Sequence, residues 1–168
     1  MRLYLIRHTH AVTEGENPSR PLSPRGRTDA ARLAAWLNAN RALNPAQLWH
    51  SPLERARETA SILAHGLDLD VVILETPGLL PDDGPEEIAD RLETFPTGEN
   101  LALVGHEPHL SALASLLVRG KRKPALFELK KGAVLALEPS GNVHKRTGRP
   151  RWHACWHICP ELLPPAAP

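Results

Sequence analysis

The sequence has few of the features that mark secreted, membrane-bound or nucleic-acid-binding proteins. Its 168 residues include two cysteines, and no basic segment followed by an apolar stretch precedes the first strand-like run, which argues against secretion and a disulfide scaffold. No apolar run approaches the ~20 residues that a bilayer-spanning helix needs. Twenty basic and 19 acidic residues give a net charge of +1, which argues against a general nucleic-acid binder. We therefore predict a soluble, cytoplasmic protein that binds neither nucleic acid nor membrane.

Short apolar runs alternate with segments of helical periodicity along most of the chain. Four runs have the length and composition of β-strands, at residues 2–6, 47–50, 71–74 and 101–105. Apolar residues at helical spacing follow them, over residues 23–40, 52–66, 84–95 and 107–120. This order predicts an α/β fold with a mostly parallel sheet flanked by helices on both faces.

The last part of the chain departs from this alternation. Residues 132–139 and 151–158 are two further strand-like runs with no helix between them, and we expect them to extend the sheet as antiparallel strands. No linker divides the chain, so residues 1–159 are predicted to form one domain. Four prolines fall in residues 160–168, and we expect this Pro-rich segment to be a frayed C-terminal tail.

Arginine and histidine residues follow three of the four predicted parallel strands. Arg7 and His8 come at the end of the first strand, Arg55 lies near the first turn of the helix after the second, and His106 follows the fourth. Because ligands of open parallel sheets bind beyond the carboxyl ends of the strands, these four side chains are predicted to meet at one edge.

These residue types suit the transfer of a phosphoryl group. A guanidinium binds phosphoryl oxygens through paired hydrogen bonds, and an imidazole beside it can attack phosphorus and carry the phosphoryl group covalently. A second, protonated imidazole can stabilise charge on the phosphoryl oxygens. Because cationic side chains would neutralise the phosphate, no metal or other cofactor is expected.

Four segments, "LIRHTHA", "RPLSPRG", "SPLERARETA" and "LVGHEPHLS", resemble the motifs of the histidine phosphatase (phosphoglycerate mutase-like) superfamily. The resemblance is strongest to its small SixA-type phosphohistidine phosphatase branch, and it covers roughly residues 1–140. It implies that His8 is the phosphorylated nucleophile, that Arg7 and Arg55 clamp the phosphate, and that His106 is the second phosphate-binding histidine. It also implies an accessory basic role for Arg20.

Two departures from the family pattern concern substrate binding and the general acid. Thr9 stands where the family usually has glycine, and its hydroxyl could bond a phosphate oxygen. Asn17 stands where the small branch often has aspartate, and an amide cannot donate a proton to a leaving group. The remaining candidates for the general acid, among which the sequence does not choose, are Glu14, Glu16, Asp82, Asp83 and Glu107.

Histidines and cysteines also alternate near the end of the chain, at His153, Cys155, His157 and Cys159. On a regular strand all four would share one face, and these residue types suit zinc. Four such positions span about 20 Å, too far to reach one tetrahedral ion, so we predict neither a metal nor a disulfide there.

The short segment between the third strand and its helix predicts an open site without the inserted cap of larger family members. An open site admits a phosphorylated side chain of another protein and offers few contacts to a small metabolite. We therefore predict a metal-independent phosphatase that acts on protein phosphohistidine and is inhibited by phosphate and vanadate. The alternatives are a phosphomonoesterase acting on a small phosphorylated metabolite and a non-catalytic module that binds phosphate or phosphoproteins.

Overall fold

A computed structural model of the chain describes residues 1–68 and 71–164, which form a six-stranded mixed sheet. The strands are β1 (Leu3–Arg7), β2 (Gln47–His50), β3 (Val72–Glu75), β4 (Leu101–Gly105), β5 (Val134–Val143) and β6 (Pro150–Ile158). Their order in the sheet is β3-β2-β4-β1-β5-β6. Strands β1 to β4 pair in parallel, whereas β5 is antiparallel to β1 and β6 to β5. The predicted α/β fold with its two antiparallel extensions is confirmed.

Two helices cover each face of the sheet in the described part of the chain. They are α1 (Pro24–Ala39), α2 (Glu54–Gly66), α3 (Pro85–Glu93) and α4 (His109–Arg119). Successive residues of a strand point to opposite faces, so Tyr4 and Ile6 of β1 pack in the core under α1 and α2, and Leu3 and Leu5 pack under α3 and α4. None of these four helices is long and apolar enough to cross a membrane.

The start of α1 fixes the segment that follows His8. The Ser23 hydroxyl accepts a hydrogen bond of 3.1 Å from the Gly26 N–H, as expected of an N-cap, and the Ser23 N–H donates to the His10 carbonyl at 3.0 Å. A Cβ atom on Gly26 would lie 1.9 Å from that His10 carbonyl oxygen. Only glycine therefore lets the helix approach the loop this closely.

A β-bulge between β5 and β6 changes the direction in which residues of β6 point. The register shifts between Ala136 and Leu137, so Cys155 is an extra residue with no partner opposite it. Trp152, before the bulge, packs in the α3/α4 core, whereas Trp156, after it, packs against the α1/α2 core. The prediction of one shared face is therefore wrong for the set His153, Cys155, His157 and Cys159.

The C-terminal segment is ordered further than its proline content suggests. Residues Pro160–Leu162 form a turn of 3-10 helix, and Leu163 is buried in the α1/α2 core. Arg32 of α1 donates hydrogen bonds to the carbonyls of Leu163 and Pro164 at 3.1 and 2.8 Å. The expectation of a frayed tail is therefore wrong for residues 160–164, and residues 165–168 lie outside the described part of the chain.

Candidate active site

The carboxyl ends of β1, β2 and β4 bring Arg7, His8, Arg55 and His106 to one edge of the sheet. Arg7 pairs with Gly105 of β4, so His8 and His106 are the next residues of two neighbouring strands. Their ring centroids lie 4.9 Å apart, with the ring planes inclined by 55°. Both imidazoles and the Arg55 side chain are buried, although all three are polar.

The His8 ring is held with one nitrogen available as a nucleophile. Its Nδ1 lies 2.7 Å from the Thr9 carbonyl oxygen. Because a carbonyl can only accept a hydrogen bond, Nδ1 carries the proton and Nε2 presents its lone pair. Burial, together with the smaller effects of neighbouring His106, Arg55 and Arg7, lowers the pKa of His8 to about 3. His8 is therefore neutral at physiological pH.

His106 is oriented by Ser51, a residue that the sequence analysis did not select. The two atoms His106 Nε2 and Ser51 Oγ lie 2.9 Å apart. The Leu53 N–H donates to Ser51 Oγ at 3.3 Å, which leaves the hydroxyl proton free to bond His106 Nε2. Ser51 directly follows β2, at the same edge that placed the other residues, so strand position alone could have identified it.

Burial, followed by the charge of Arg55, lowers the pKa of His106 to about 3. The imidazole is therefore neutral before an anion binds. A bound phosphate dianion would raise this pKa, because a nearby opposite charge favours the protonated ring. His106 can thus take up a proton as phosphate binds.

Buried polar atoms without a partner are concentrated at this site. Among the described residues, nine buried side-chain nitrogen and oxygen atoms have no hydrogen-bond partner. Five of them are Arg7 Nε, Thr9 Oγ1, Arg55 Nε, His106 Nδ1 and Glu107 Oε1. Since buried polar groups normally have partners, the four that can donate fit an oxyanion with several oxygens, such as phosphate.

Arg20 lies close enough to the site for its charge to act on it. Its positive charge lowers the pKa of Arg55, after the larger effect of burial. It also contributes, as the smallest cause, to the lowered pKa of His106. Arg20 is partly buried and follows a turn in which its N–H donates to the Asn17 carbonyl at 2.9 Å.

Four of the five acid candidates do not have the environment that a general acid needs. Glu14 and Asp82 are exposed. Glu16 accepts hydrogen bonds from the N–H and the hydroxyl of Thr13, both at 2.7 Å, and these bonds lower its pKa. Asp83 accepts a hydrogen bond of 2.7 Å from the N–H of Leu80.

Glu107 differs from the other candidates because burial raises its pKa. It directly follows His106 and is half-buried, and its Oε1 has no partner among the described residues. The nearby polar groups of Ser111 and the charge of Arg7 oppose the shift without reversing it. Burial therefore favours the protonated form of Glu107.

The histidines and cysteines in β6 and directly after it form two separate groups. Ligand atoms of His153, Cys155 and Glu138 lie within 4.8 Å of one another, and the Glu138 carboxylate already accepts a hydrogen bond of 2.6 Å from Arg2. Farther along, Cys159 Sγ lies 3.8 Å from His157 Nε2. Both cysteines are free thiols, as predicted.

Comparison with known proteins identifies the family. A family model described as the histidine phosphatase superfamily (branch 1) matches residues 3–77, which include Arg7, His8 and Arg55. An uncharacterized protein of a Picosynechococcus species is 32% identical over 142 residues, which cover 82% of this chain and 84% of that protein. The chain belongs to the histidine phosphatase superfamily and is a phosphatase.

Solved structures show the same fold. The protein histidine phosphatase SixA complexed with tungstate superposes with a TM-score of 0.79 at 20% identity, over 95% of this chain and 97% of that chain. The alpha-ribazole phosphatase from Shigella flexneri superposes with a TM-score of 0.68 at 20% identity, over 90% of this chain and 95% of that chain. At 20% sequence identity, these two comparisons show that the chains share a fold.

Proposed function

We propose that this phosphatase removes the phosphoryl group from phosphohistidine residues of other proteins, through a covalent intermediate on His8 and without a metal ion. The observation that carries the proposal is the orientation of His8. Its Nδ1 proton is held by the Thr9 carbonyl, and its neutral Nε2 belongs to a ring 4.9 Å from a second imidazole. A neutral, oriented nitrogen beside cationic groups is what attack on phosphorus requires.

In the first step, His8 Nε2 attacks phosphorus and a new P–N bond forms. The bond from phosphorus to the substrate imidazole breaks, and its electron pair goes to the leaving nitrogen. Arg7, Arg55 and protonated His106 stabilise the negative charge on the equatorial oxygens during this transfer. The Thr9 hydroxyl, which is buried and without a partner in the described residues, can bond one of these oxygens.

In the second step, a water oxygen attacks the phosphorus of phospho-His8. The P–N bond breaks, the electron pair returns to Nε2, and inorganic phosphate leaves with the water oxygen. The Thr9 carbonyl keeps the ring in one tautomer throughout, so the same nitrogen attacks and then leaves. No step needs a metal, because side-chain cations neutralise the phosphate.

The accessibility of the site supports a protein substrate. Only residues 76–84 lie between the end of β3 and the start of α3, so no inserted domain covers the strand ends there. A phosphorylated side chain on another protein can therefore approach His8 directly. The fold likeness to the protein histidine phosphatase SixA is consistent with this substrate class.

The second candidate is hydrolysis of a phosphate monoester on a small metabolite, and the environment of Glu107 favours it. An alkoxide is a poor leaving group and needs a proton in the transition state. A carboxyl whose pKa is raised by burial can supply that proton. A phosphoimidazole depends less on such an acid, because its second ring nitrogen can carry the proton.

A comparison of substrates, made with both the wild type and the Glu107→Gln variant, distinguishes a protein phosphohistidine phosphatase from a phosphomonoesterase. We expect the highest kcat/KM for a phosphohistidine protein, measured against a panel of phosphorylated metabolites in excess EDTA. On monoesters the variant should lose about 100-fold, the low end of general acid catalysis, whereas its activity on phosphohistidine should change little. A preferred metabolite, or loss of all activity in EDTA, would contradict the proposal.

A further inference from the structure

A basic cavity of about 430 Å³ adjoins the active site at Arg7. It lies between the first turns of α1 and the segment that leads into β5. Its basic lining residues are Arg7, His10, Arg25, Arg32, Lys130 and Lys131. Asp29 and Glu161 are the acidic residues of the lining, so permanent cations exceed carboxylates.

Some of these cations are already paired. Arg32 contacts Asp29 at 3.3 Å and also donates to the carbonyls of residues 163 and 164. Lys130 contacts Glu161 at 3.0 Å. These two contacts account for both carboxylates of the cavity. The excess positive charge therefore belongs to the remaining cations.

Arg25, Lys131 and Arg7 supply that excess. Within residues 1–68 and 71–164, the Arg25 side chain has one ion pair, a 3.6 Å contact with Asp29, and 78% of the side chain is exposed. Lys131 has no hydrogen bond or ion pair to another described residue, and burial together with the charge of Arg7 lowers its pKa. The charges of Arg20, Arg25 and Arg55 add to this shift, so one field of positive charge extends from the phosphate site into the cavity.

The chemistry of the lining indicates what the cavity binds. Sites for small molecules are mostly apolar with a few placed polar groups, whereas this lining is dominated by charged side chains. Long, partly exposed lysine and arginine side chains attract carboxylates without imposing one geometry, which suits a peptide segment of variable sequence. Because Arg7 belongs to both sites, a chain whose phosphoryl group reaches His8 would pass into the cavity.

We infer that the basic cavity binds an acidic segment, rich in aspartate or glutamate, that lies next to the phosphorylated histidine of the substrate protein. This inference rests on the proposed function and adds the sequence context that the enzyme selects. The cavity would act mainly on KM, because its lining residues other than Arg7 lie outside the cluster of Arg7, His8, Arg55 and His106.

A second basic cluster supplies a matched control. Lys121, Arg122 and Lys123 follow α4, which starts beside His106 and ends at Arg119. They line a separate cavity with Arg146 and Arg149, and none of them lines the basic cavity at Arg7. Replacing Lys121 and Lys123 by glutamine removes two charges, as Arg25→Gln with Lys131→Gln does, but leaves the basic cavity intact.

Binding is measured first, with a fluorescent, unphosphorylated acidic peptide and the active site saturated with inorganic phosphate. The wild type and the Lys121→Gln/Lys123→Gln variant should bind it equally well. The Arg25→Gln/Lys131→Gln variant should bind about three- to tenfold more weakly, the range expected for two exposed ion pairs. The inference would be overturned if both variants bound the peptide equally weakly. It would also be overturned if the Arg25→Gln/Lys131→Gln variant, called the cavity variant below, bound it as tightly as the wild type. Loss of peptide binding when phosphate fills the active site would overturn it as well.

Turnover is measured second, with two phosphohistidine peptides of equal length. In one peptide the residues that flank the phosphohistidine are aspartate and glutamate. In the other they are asparagine and glutamine. The acidic peptide should have the lower KM in the wild type, with similar kcat, and the difference should shrink in the cavity variant and at high salt. Equal KM values would overturn the inference. If the acidic peptide binds in the first experiment but neither peptide is hydrolysed while a metabolite is, the proposed function fails and the acidic-segment site remains.

Discussion

Two regions of this molecule each carry a pair of histidines, and only one of them has the properties of a catalytic site. His8 and His106 are buried at the ends of adjacent parallel strands, with their rings 4.9 Å apart. His153 and His157 lie along the outer strand β6 and are exposed. The first pair comes from distant parts of the chain, whereas the second belongs to one strand.

The difference shows that environment, more than residue type, prepares a nucleophile. Burial and neighbouring positive charges keep both imidazoles of the first pair neutral, with pKa values of about 3. In the second region Glu138 is paired with Arg2, and His157 contacts Cys159. There, the polar side chains are exposed or have local partners, whereas at the strand ends several buried donors have no partner among the described residues.

The largest effect is expected at Arg55, which we propose binds the phosphoryl group. Arg55→Lys keeps a positive charge but loses the planar pair of donors, so activity should fall at least ~100-fold, as when one transition-state donor is removed. The control is Arg57→Lys, because Arg57 is exposed and pairs with Glu54. Steady-state kinetics with p-nitrophenyl phosphate measures both variants. Near-normal activity of Arg55→Lys would place this residue outside the site.

A smaller loss is expected when His106 loses its orienting partner. Ser51→Ala removes a neutral hydrogen bond worth about 1 kcal/mol, so kcat should fall roughly fivefold. Ser61→Ala, at an exposed position of α2, is the control and should be unaffected. If Ser51 acts through His106, its variant should lose no further activity in a His106→Ala background. Additive losses in the double variant would contradict this role.

The pH dependence should be weak on the acid side. With a pKa of about 3 in the free enzyme, His8 stays unprotonated as the pH falls from 7 to 5, so its protonation should change kcat/KM less than about threefold. An imidazole with the ordinary pKa of ~6.5 would be about 3% unprotonated at pH 5 and would lose roughly 30-fold. Rates measured at p-nitrophenyl phosphate concentrations well below KM distinguish these cases. A 30-fold fall in rate would show that the pKa of His8 is not lowered in the way described.

The smallest effect is expected on β6. Replacing His153 by alanine and Cys155 by serine alters an exposed group far along the sheet from His8, so kcat/KM should stay within about twofold of the wild type, as is usual for surface positions. The assay is repeated with and without EDTA. A large loss in either case would mean that the histidines of β6 contribute to activity after all.

The cluster of Arg7, His8 and His106 at the strand ends could be predicted from sequence because it depends on local patterns and one rule of sheet topology. Apolar runs of strand length place Arg7, His8 and His106 at strand ends, and parallel strands carry their carboxyl ends to one edge. The N-cap at Ser23 is similarly local. These features depend on few distant contacts.

Other features depend on tertiary contacts that the sequence pattern does not show. The bulge at Cys155 results from pairing with β5, and the docking of Leu163 results from a core formed by two helices and the sheet. The raised pKa of Glu107 depends on burial, which becomes known only when the chain is folded. Ser51 could have been found from its strand position, but its contact with His106 could not.

The central claim is that His8 Nε2 becomes phosphorylated, and trapping the phosphoenzyme tests it most directly. Rapid alkaline quenching with a reactive phosphoryl donor should recover up to one phosphate per chain on His8, labile to acid and stable to alkali, as expected for a P–N bond. The His65→Ala variant, altered at an exposed histidine of α2, should retain the label, whereas His8→Ala should lose it. A label that survives acid, a label retained by His8→Ala, or turnover with no trappable phosphoenzyme would contradict the account.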